Sequence, residues 1–271
     1  MSQMTSTAAL PKRSREPVRR AGLFVRARNG FDEAVARVQA VADAAGVELT
    51  EDDPELVVVL GGDGTMLHAF HEFLGQSIPV IGVNFGRFGF LSSMQPDELE
   101  SGLGRAFAGE LSVIELPTLE FTHGGERNVA VNDVVAASGK VGRLVELDWA
   151  IGGESLGTVP CDGVIMATPS GSTAYNLSNN GPVLMWGIDA MAATFISPHS
   201  LHARPLVVPR DRDVVVTNAT SDIPLALIAD GRRAGELAPG EAVTVRLGEA
   251  RSLLATLPDA TFLTRFRSAF A

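Results

Sequence analysis

Leu56-Val57-Val58-Val59-Leu60-Gly61-Gly62-Asp63-Gly64-Thr65 is the stretch that decides the fold. Its first five residues form a continuous apolar run, the pattern of a parallel strand buried on both faces. Beyond Thr65, Leu67, Phe70 and Leu74 recur at helical spacing, so the glycine-rich residues form the turn from a strand's carboxyl end into a helix. In open α/β sheets, ligands bind at such turns. The glycines permit positive φ and leave backbone N–H groups bare beside the positive end of a helix dipole, which suits phosphate. Asp63 does not suit it, because phosphate oxygens repel a carboxylate. Either Asp63 caps the helix, or it does separate work such as holding Mg²⁺ or taking a proton from an attacking hydroxyl.

Working outward, Ala21 to Ala27 reads as a strand and Phe31 to Ala45 as a helix, with Phe31, Val35, Val38 and Ala42 on one face and Gly46 as its stop. Val47-Glu48-Leu49 and an acidic loop through Pro54 lead into the apolar strand. On the other side, Ile78 to Val83 predicts a second buried strand. It runs into Asn84-Phe85-Gly86-Arg87-Phe88-Gly89-Phe90-Leu91, a glycine-punctuated loop expected at the same crevice, and then into a helix from Pro96 to Ala108. This alternation predicts a Rossmann-like N-terminal α/β domain over residues 20–118.

From about residue 119 to 250 the pattern changes to short alternating runs, predicting a mainly β C-terminal domain. Val145, Leu147, Trp149 and Ile151 fall on one strand face, and hairpin punctuation occurs at Gly152-Gly153, Asp230-Gly231 and Pro239-Gly240. Residues 251–271 regain helical character, with Phe262 and Phe266 at i, i+4, and are expected to pack back on the first domain. Residues 1–19, basic and without a secretory apolar core, read as a disordered tail.

A net charge of −10 argues against nucleic acid or an anionic membrane as the main partner. Lysine occurs only at Lys12 and Lys140, so there is no Walker lysine, and the glycines form no G-x-G-x-x-G. The single Cys161 excludes an internal disulfide and a cysteine metal cluster, which fits a reducing, cytoplasmic compartment. No apolar run reaches transmembrane length. His68/His71 and His199/His202 have i, i+3 spacing but no third ligand, which favours packing or surface roles over a metal site. Ser170 and Ser172 lie outside any G-x-S-x-G, which disfavours a serine hydrolase.

The densest polar segment is Asp162-Gly163-Val164-Ile165-Met166-Ala167-Thr168-Pro169-Ser170-Gly171-Ser172-Thr173-Ala174-Tyr175. A buried strand over Val164 to Ala167 ends in a turn that crowds four hydroxyls and a glycine before a predicted helix. Capping accounts for one hydroxyl; the others are available for phosphate or ribose, and Tyr175 can pack on a base. Asn132-Asp133 interrupts an otherwise apolar strand, Val129 to Ala136, where adjacent side chains point to opposite faces.

Taken together, these segments resemble the NAD kinase family. The residues that carry the resemblance are Gly61 to Thr65, the Asn84 to Leu91 loop, Asn132-Asp133, Asp162-Gly163, Thr168 to Tyr175, and Pro198-His199-Ser200-Leu201 with Arg204-Pro205. The GGDG element is shared with phosphofructokinases and with diacylglycerol and sphingosine kinases, whereas the Thr168 to Tyr175 block is far more specific. The resemblance implies NAD bound between an α/β and a β-rich domain, with ATP or inorganic polyphosphate as donor and Mg²⁺ or another divalent cation. Phosphoryl transfer to the 2′-hydroxyl of the adenosine ribose then makes NADP.

By the same resemblance, Asp63 is the base, with Gly62, Gly64 and Thr65 at the phosphates. Asn132 and Asp133 hold ribose hydroxyls, and Phe90, Ser170, Thr173, Ala174, Tyr175 and Ser178 line the adenosine site. Asp162 reaches the ligand of a neighbouring subunit, implying a homo-oligomer, a dimer or tetramer. The chain departs from the family in having Asn132-Asp133 for the commoner Asn-Glu, Asn179-Asn180-Gly181-Pro182 for Ala-Gly-Gly-Pro, and Ser170 for a frequent threonine. The rival readings are a lipid or sugar-phosphate kinase sharing the GGDG turn, and a non-catalytic nucleotide-binding regulator.

Overall fold

The computed structural model describes residues 12–14, 16–26, 30–86, 89–140 and 142–270. Residues 1–11 of the expected tail lie outside the described residues, whereas Lys12–Ser14 form a short strand, β1, that pairs with Leu111–Val113. The chain divides into two compact units, Met1–Glu115 with Arg251–Ala271, and Leu116–Ala250.

In the first unit, strands β2 (Arg20–Phe24), β3 (Glu48–Leu49), β4 (Leu56–Gly61) and β5 (Val80–Asn84) alternate with helices α1 (Asp32–Ala45), α2 (Asp63–Glu72) and α3 (Leu99–Phe107). The sheet runs β3-β2-β4-β5, all parallel, and Leu254 adds a parallel neighbour opposite Val80. β4 is buried along its whole length, as a central parallel strand with both faces covered must be. Its core partners are Val38 and Ala42 of α1, Ile81 and Val83 of β5, and Leu99, Leu103 and Phe107 of α3. Helix α1 ends at Gly46 in the left-handed conformation, with φ 69°. Its buried residues are Ala34, Val38 and Ala42, and Phe31 stands just outside the helix. The expected helix from Pro96 opens as a 3₁₀ turn, Pro96–Glu98, before α3. In register, Gly61 lies opposite Asn84, so the loops that leave β4 and β5 start side by side.

The second unit contains most of β6 (Leu111–His123), then β7 (Glu126–Ala130), β8 (Asp133–Ser138), β9 (Val145–Ile151), β10 (Glu154–Cys161), β11 (Gly163–Ala167), the single-turn α4 (Tyr175–Ser178), β12 (Ala190–Ile196), β13 (Leu206–Pro209), β14 (Val214–Asn218), β15 (Leu225–Ala229), β16 (Arg232–Leu237) and the start of β17 (Ala242–Thr256). One antiparallel sheet runs β13-β12-β11-β8-β15-β16, and another layer runs β10-β9-β14-β17. Their apolar faces share a core that includes Val134, Ala136, Leu147, Trp149, Val164, Met166, Phe195, Val216 and Leu227, with the Trp149 and Phe195 rings meeting edge to face at 5.0 Å. β9 alternates as expected, with Val145, Leu147 and Trp149 inward.

Three local expectations are corrected. Gly152-Gly153 and Asp230-Gly231 do close hairpins, but Pro239-Gly240 connects β16 to β17, which belong to different sheets. Val129 to Ala136 is not one strand. β7 ends at Ala130 on one sheet and β8 begins at Asp133 on the other, so Asn132 sits in the crossover rather than on a pleated face. The helix expected after the hydroxyl-rich turn is only a 3₁₀ turn, Gly171–Thr173, followed by α4. The chain then returns to the first unit through the end of β17 and helix α5 (Phe262–Phe270).

Candidate functional site

In the first unit, the β4 turn is shaped by close approach. A Cβ on Gly61 would lie 2.3 Å from Thr65 Oγ1, so a side chain there would displace the threonine. Gly62 is the N-cap residue of α2 and no side chain caps the helix, which removes the capping role for Asp63. The carboxylate turns instead to the neighbouring loop. Its Oδ2 accepts the N–H of Phe90 at 2.8 Å and its Oδ1 accepts that of Leu91 at 3.1 Å. Gly89 makes this possible, since a Cβ there would lie 2.7 Å from Asp63 Oδ1. Gly64 is open to solvent.

Burial pushes the Asp63 carboxyl above its ordinary range, and the two amides and then the charge of Arg265 on α5 act in the opposite direction. The buried Asn84 accepts the Gly86 N–H at 3.0 Å, and its Nδ2 donor has no partner among the described residues. The Phe90 ring is covered, with centroids 6.1 Å from Phe262 and 5.9 Å from Phe270. Phe90 therefore offers the site its backbone more than its ring.

In the second unit, Asn132 and the Thr168–Thr173 turn are locked together. Ser170 Oγ donates to Asn132 Oδ1 at 2.8 Å, Thr168 N donates to the Asn132 carbonyl at 2.9 Å, and Thr168 Oγ1 donates to the Val131 carbonyl at 2.7 Å. Thr173 donates back to the Ser170 carbonyl at 3.1 Å. Of the four hydroxyls expected at a ligand, Thr168 and Ser172 are fully buried struts, Ser172 Oγ donating to the Pro169 carbonyl at 2.7 Å and accepting the Leu184 N–H at 2.9 Å. Ser170 is also buried, at 3% exposed, its hydroxyl given to Asn132, and only Thr173, half-buried, remains at the turn's edge with the exposed Ala174, Tyr175 and Ser178. Tyr175 shows 46% of its surface, so its ring is accessible for stacking.

The Asn179-Asn180-Gly181-Pro182 departure keeps its turn. Asn180 takes the left-handed conformation at φ 58°, and Asn176 Nδ2 donates to the carbonyls of Ser172 and Pro182. Asp162 is exposed between β10 and β11, its backbone N–H held by the Ile196 carbonyl.

Asp230 is the site residue that the sequence did not reveal. It reads as half of an Asp-Gly hairpin turn, but its carboxylate accepts the N–H groups of Val131 (2.7 Å), Asn132 (2.7 Å) and Asp133 (3.0 Å) and so fixes the crossover. Asp133 is only 6% exposed, and burial first, then the Asp230 charge, pushes its carboxyl up to about 7. The folded protein therefore binds a proton there that the unfolded chain releases near pH 4. That contribution to stability is complete at low pH and is lost as pH rises through 7. Asp133→Asn carries no such loss, so its melting temperature relative to the parent is expected to rise between pH 5 and pH 8 in thermal denaturation scans. A pH-independent difference would contradict the assignment.

His68 and His71 lie on α2, whereas His199 and His202 lie in a loop rather than on a helical face. Among the described residues no group of three or more His, Cys, Asp or Glu side chains is gathered as for a metal ion.

A half-buried carboxylate in a GGDG turn at the carboxyl ends of parallel strands, in a chain that also carries a hydroxyl-rich turn, is the arrangement expected of a kinase of the GGDG class. Residues 23–111 match the ATP-NAD kinase N-terminal domain and residues 131–257 the ATP-NAD kinase C-terminal domain. The chain is 39% identical over 233 residues to an NAD kinase of Gemmatimonas aurantiaca, covering 82% of this chain and 79% of that protein. It is 38% identical over 218 residues to an NAD kinase of Heliobacterium modesticaldum, covering 79% and 77%. In fold it is similar to an Archaeoglobus fulgidus NAD kinase solved with ATP, with a TM-score of 0.75, 23% identity and coverage of 92% and 99%. It is likewise similar to a yeast NADH kinase solved with NADH, with a TM-score of 0.82, 21% identity and coverage of 97% and 92%. The chain belongs to the NAD kinase family.

Proposed function

We propose that this protein transfers a phosphoryl group from ATP or inorganic polyphosphate to the 2′-hydroxyl of the adenosine ribose of NAD, making NADP. The observation that carries the reading is the placement of Asp63, whose carboxylate is spared from helix capping and held by two loop amides at the glycine turn. In the transfer the ribose oxygen bonds to phosphorus as the bond to the leaving phosphate breaks, and Asp63 accepts the hydroxyl proton. Burial raises the proton affinity of this carboxylate, which favours that role. Gly62 and Gly64 leave room and N–H groups for donor phosphates, with Thr65 beside them, its own N–H donated to the Gly62 carbonyl at 2.8 Å. Asn132, oriented by Ser170, and Asp133 hold ribose hydroxyls, while Thr173, Ala174, Tyr175 and Ser178 receive the adenosine. The divalent cation enters with the donor substrate, as Mg·ATP, offsetting phosphate charge.

We further propose a cytoplasmic homo-oligomer, a dimer or tetramer, in which the exposed Asp162 reaches the NAD bound by a neighbour. No helix among the described residues is long and apolar enough to cross a membrane. Asp162→Ala is expected to weaken NAD binding by about 5–20-fold, the loss of one or two hydrogen bonds to a charged group, without changing the oligomer seen by light scattering. Unchanged affinity in calorimetry would remove the cross-subunit contact.

The deciding assay is NADP formation by purified protein with NAD, Mg²⁺ and either ATP or polyphosphate, read through an NADP-specific dehydrogenase. Product with either donor is the expected result. NAD binding without product from either would leave the non-catalytic regulator in place.

A further inference from the structure

Helix α5 brings a buried cation to the far side of the loop that holds Asp63. Arg265 is 8% exposed. Its Nη1 donates to the carbonyl of Phe90 at 2.6 Å and to that of Ser92, its Nη2 to Ser93 Oγ at 3.2 Å, and its Nε to the Ala260 carbonyl at 3.3 Å. The Phe90 carbonyl and the Leu91 N–H belong to one peptide group. One end of that peptide is on the Arg265 guanidinium and the other on Asp63 Oδ1. Because a peptide is planar and dipolar, a donor on its oxygen polarises its N–H toward the carboxylate. The helix is seated by aromatic packing, with Phe262 and Phe270 against Phe90 and Phe266 between them, its ring 6.3 Å from Phe262 and 4.8 Å from Phe270.

We propose that Arg265 is a positioning residue for Asp63, fixing the direction of the carboxylate through the Phe90–Leu91 peptide. The inference rests on the reading of Asp63 as the base. The charges around the carboxylate agree with the geometry. β4 and β5 end in Gly61 and Asn84, and Gly62 caps α2; none of the three titrates. His68 and His71 lie farther along α2, and Arg265 faces the carboxylate from α5. Burial pulls Arg265 down to about 10 while Asp63 acts to raise it, and Arg265 in turn acts to lower Asp63.

The test compares Arg265→Met and Arg265→Lys with the parent in NADP formation from pH 5 to 9, with NAD affinity by calorimetry and melting temperature alongside. Arg265→Met is expected to lower kcat at pH 7 by about 10–100-fold and to move the acid limb of kcat up by about one pH unit, with NAD affinity within about threefold of the parent. Arg265→Lys keeps a cation but not the fork that spans two carbonyls, so its kcat falls by about 3–10-fold while its acid limb and KM stay. A folded Met variant with an unmoved acid limb overturns the proposal. Where the Met variant does not fold, a Lys variant with undiminished kcat, or one changed in KM alone, overturns it as well.

Asp63→Asn separates the two readings. If that variant keeps its kcat, the base assignment fails. If it is inactive while the Arg265 variants behave like the parent, only the positioning role fails.

Discussion

Asp63→Asn is expected to abolish NADP formation, lowering kcat by about 10²–10⁴-fold, the usual worth of a positioned proton acceptor, while NAD affinity changes by less than about threefold. An amide has the carboxylate's shape but a negligible affinity for a proton. The substitution also has a structural side. In the parent both oxygens accept N–H groups, from Phe90 and Leu91. Asparagine offers one oxygen and one NH₂, so a donor must then face a donor. That mismatch costs about 1–3 kcal/mol and appears as a lower melting temperature. Rate and stability must therefore be measured together, with NAD binding by calorimetry as the control. A variant that retains near-parental kcat would take Asp63 out of the base role whatever its stability.

Gly171→Ala is expected to have the largest effect in the second unit. An added Cβ would lie 2.1 Å from the Asn132 carbonyl oxygen, 2.5 Å from its carbon and 2.9 Å from its Cα. All three are backbone atoms, so no rotamer change relieves the clash and the two turns must part. Parting them lengthens the Ser170–Asn132 bond of 2.8 Å and the Thr168–Asn132 bond of 2.9 Å. Overpacking of this kind costs about 1–3 kcal/mol, a fall of about 3–10 °C in melting temperature. NAD affinity is expected to drop by about tenfold or more, since Asn132 loses its orientation along with its support. Calorimetry and a thermal scan check both. A stable Gly171→Ala protein with parental affinity would show that the two turns do not act as one site.

Asp63 is legible in the sequence because it conflicts with its surroundings. A carboxylate placed in a turn built for phosphate calls for a separate explanation, and that signal is local. The parallel strands were legible for a related reason, since Leu56 to Leu60 leaves no polar face to put in water. Asn132-Asp133 was legible as an oddity but misplaced, because an apolar run shows burial and not the sheet that buries it. The crossover from β7 to β8 depends on Asp230, 97 residues from Asp133, and no local pattern announces that contact. The hydroxyl-rich turn misled in the opposite way. Thr168 and Ser172 look like Ser170 in sequence, yet their hydroxyls replace backbone partners in a turn too short for regular hydrogen bonding. Arg265 gives no local signal because, with Arg267 two residues on, it reads as one of two solvated arginines on an aromatic helix, and only the return of α5 to the first unit buries it.

That return bears on the order in which the protein is made. Asp63 and Arg265 are both in the unit formed from the two ends of the described chain, with Leu116–Ala250 synthesised between them. At a translation rate of about 5–20 residues per second, the carboxylate precedes its guanidinium by about 10–40 s. Throughout that interval a nascent chain already carries the glycine turn and can complete the β unit, but its Asp63 carboxylate lacks the support of Arg265 through the Phe90–Leu91 peptide. Competence thus arrives late in synthesis, and a ribosome that stalls at Ala250 releases a product whose carboxylate has never met Arg265.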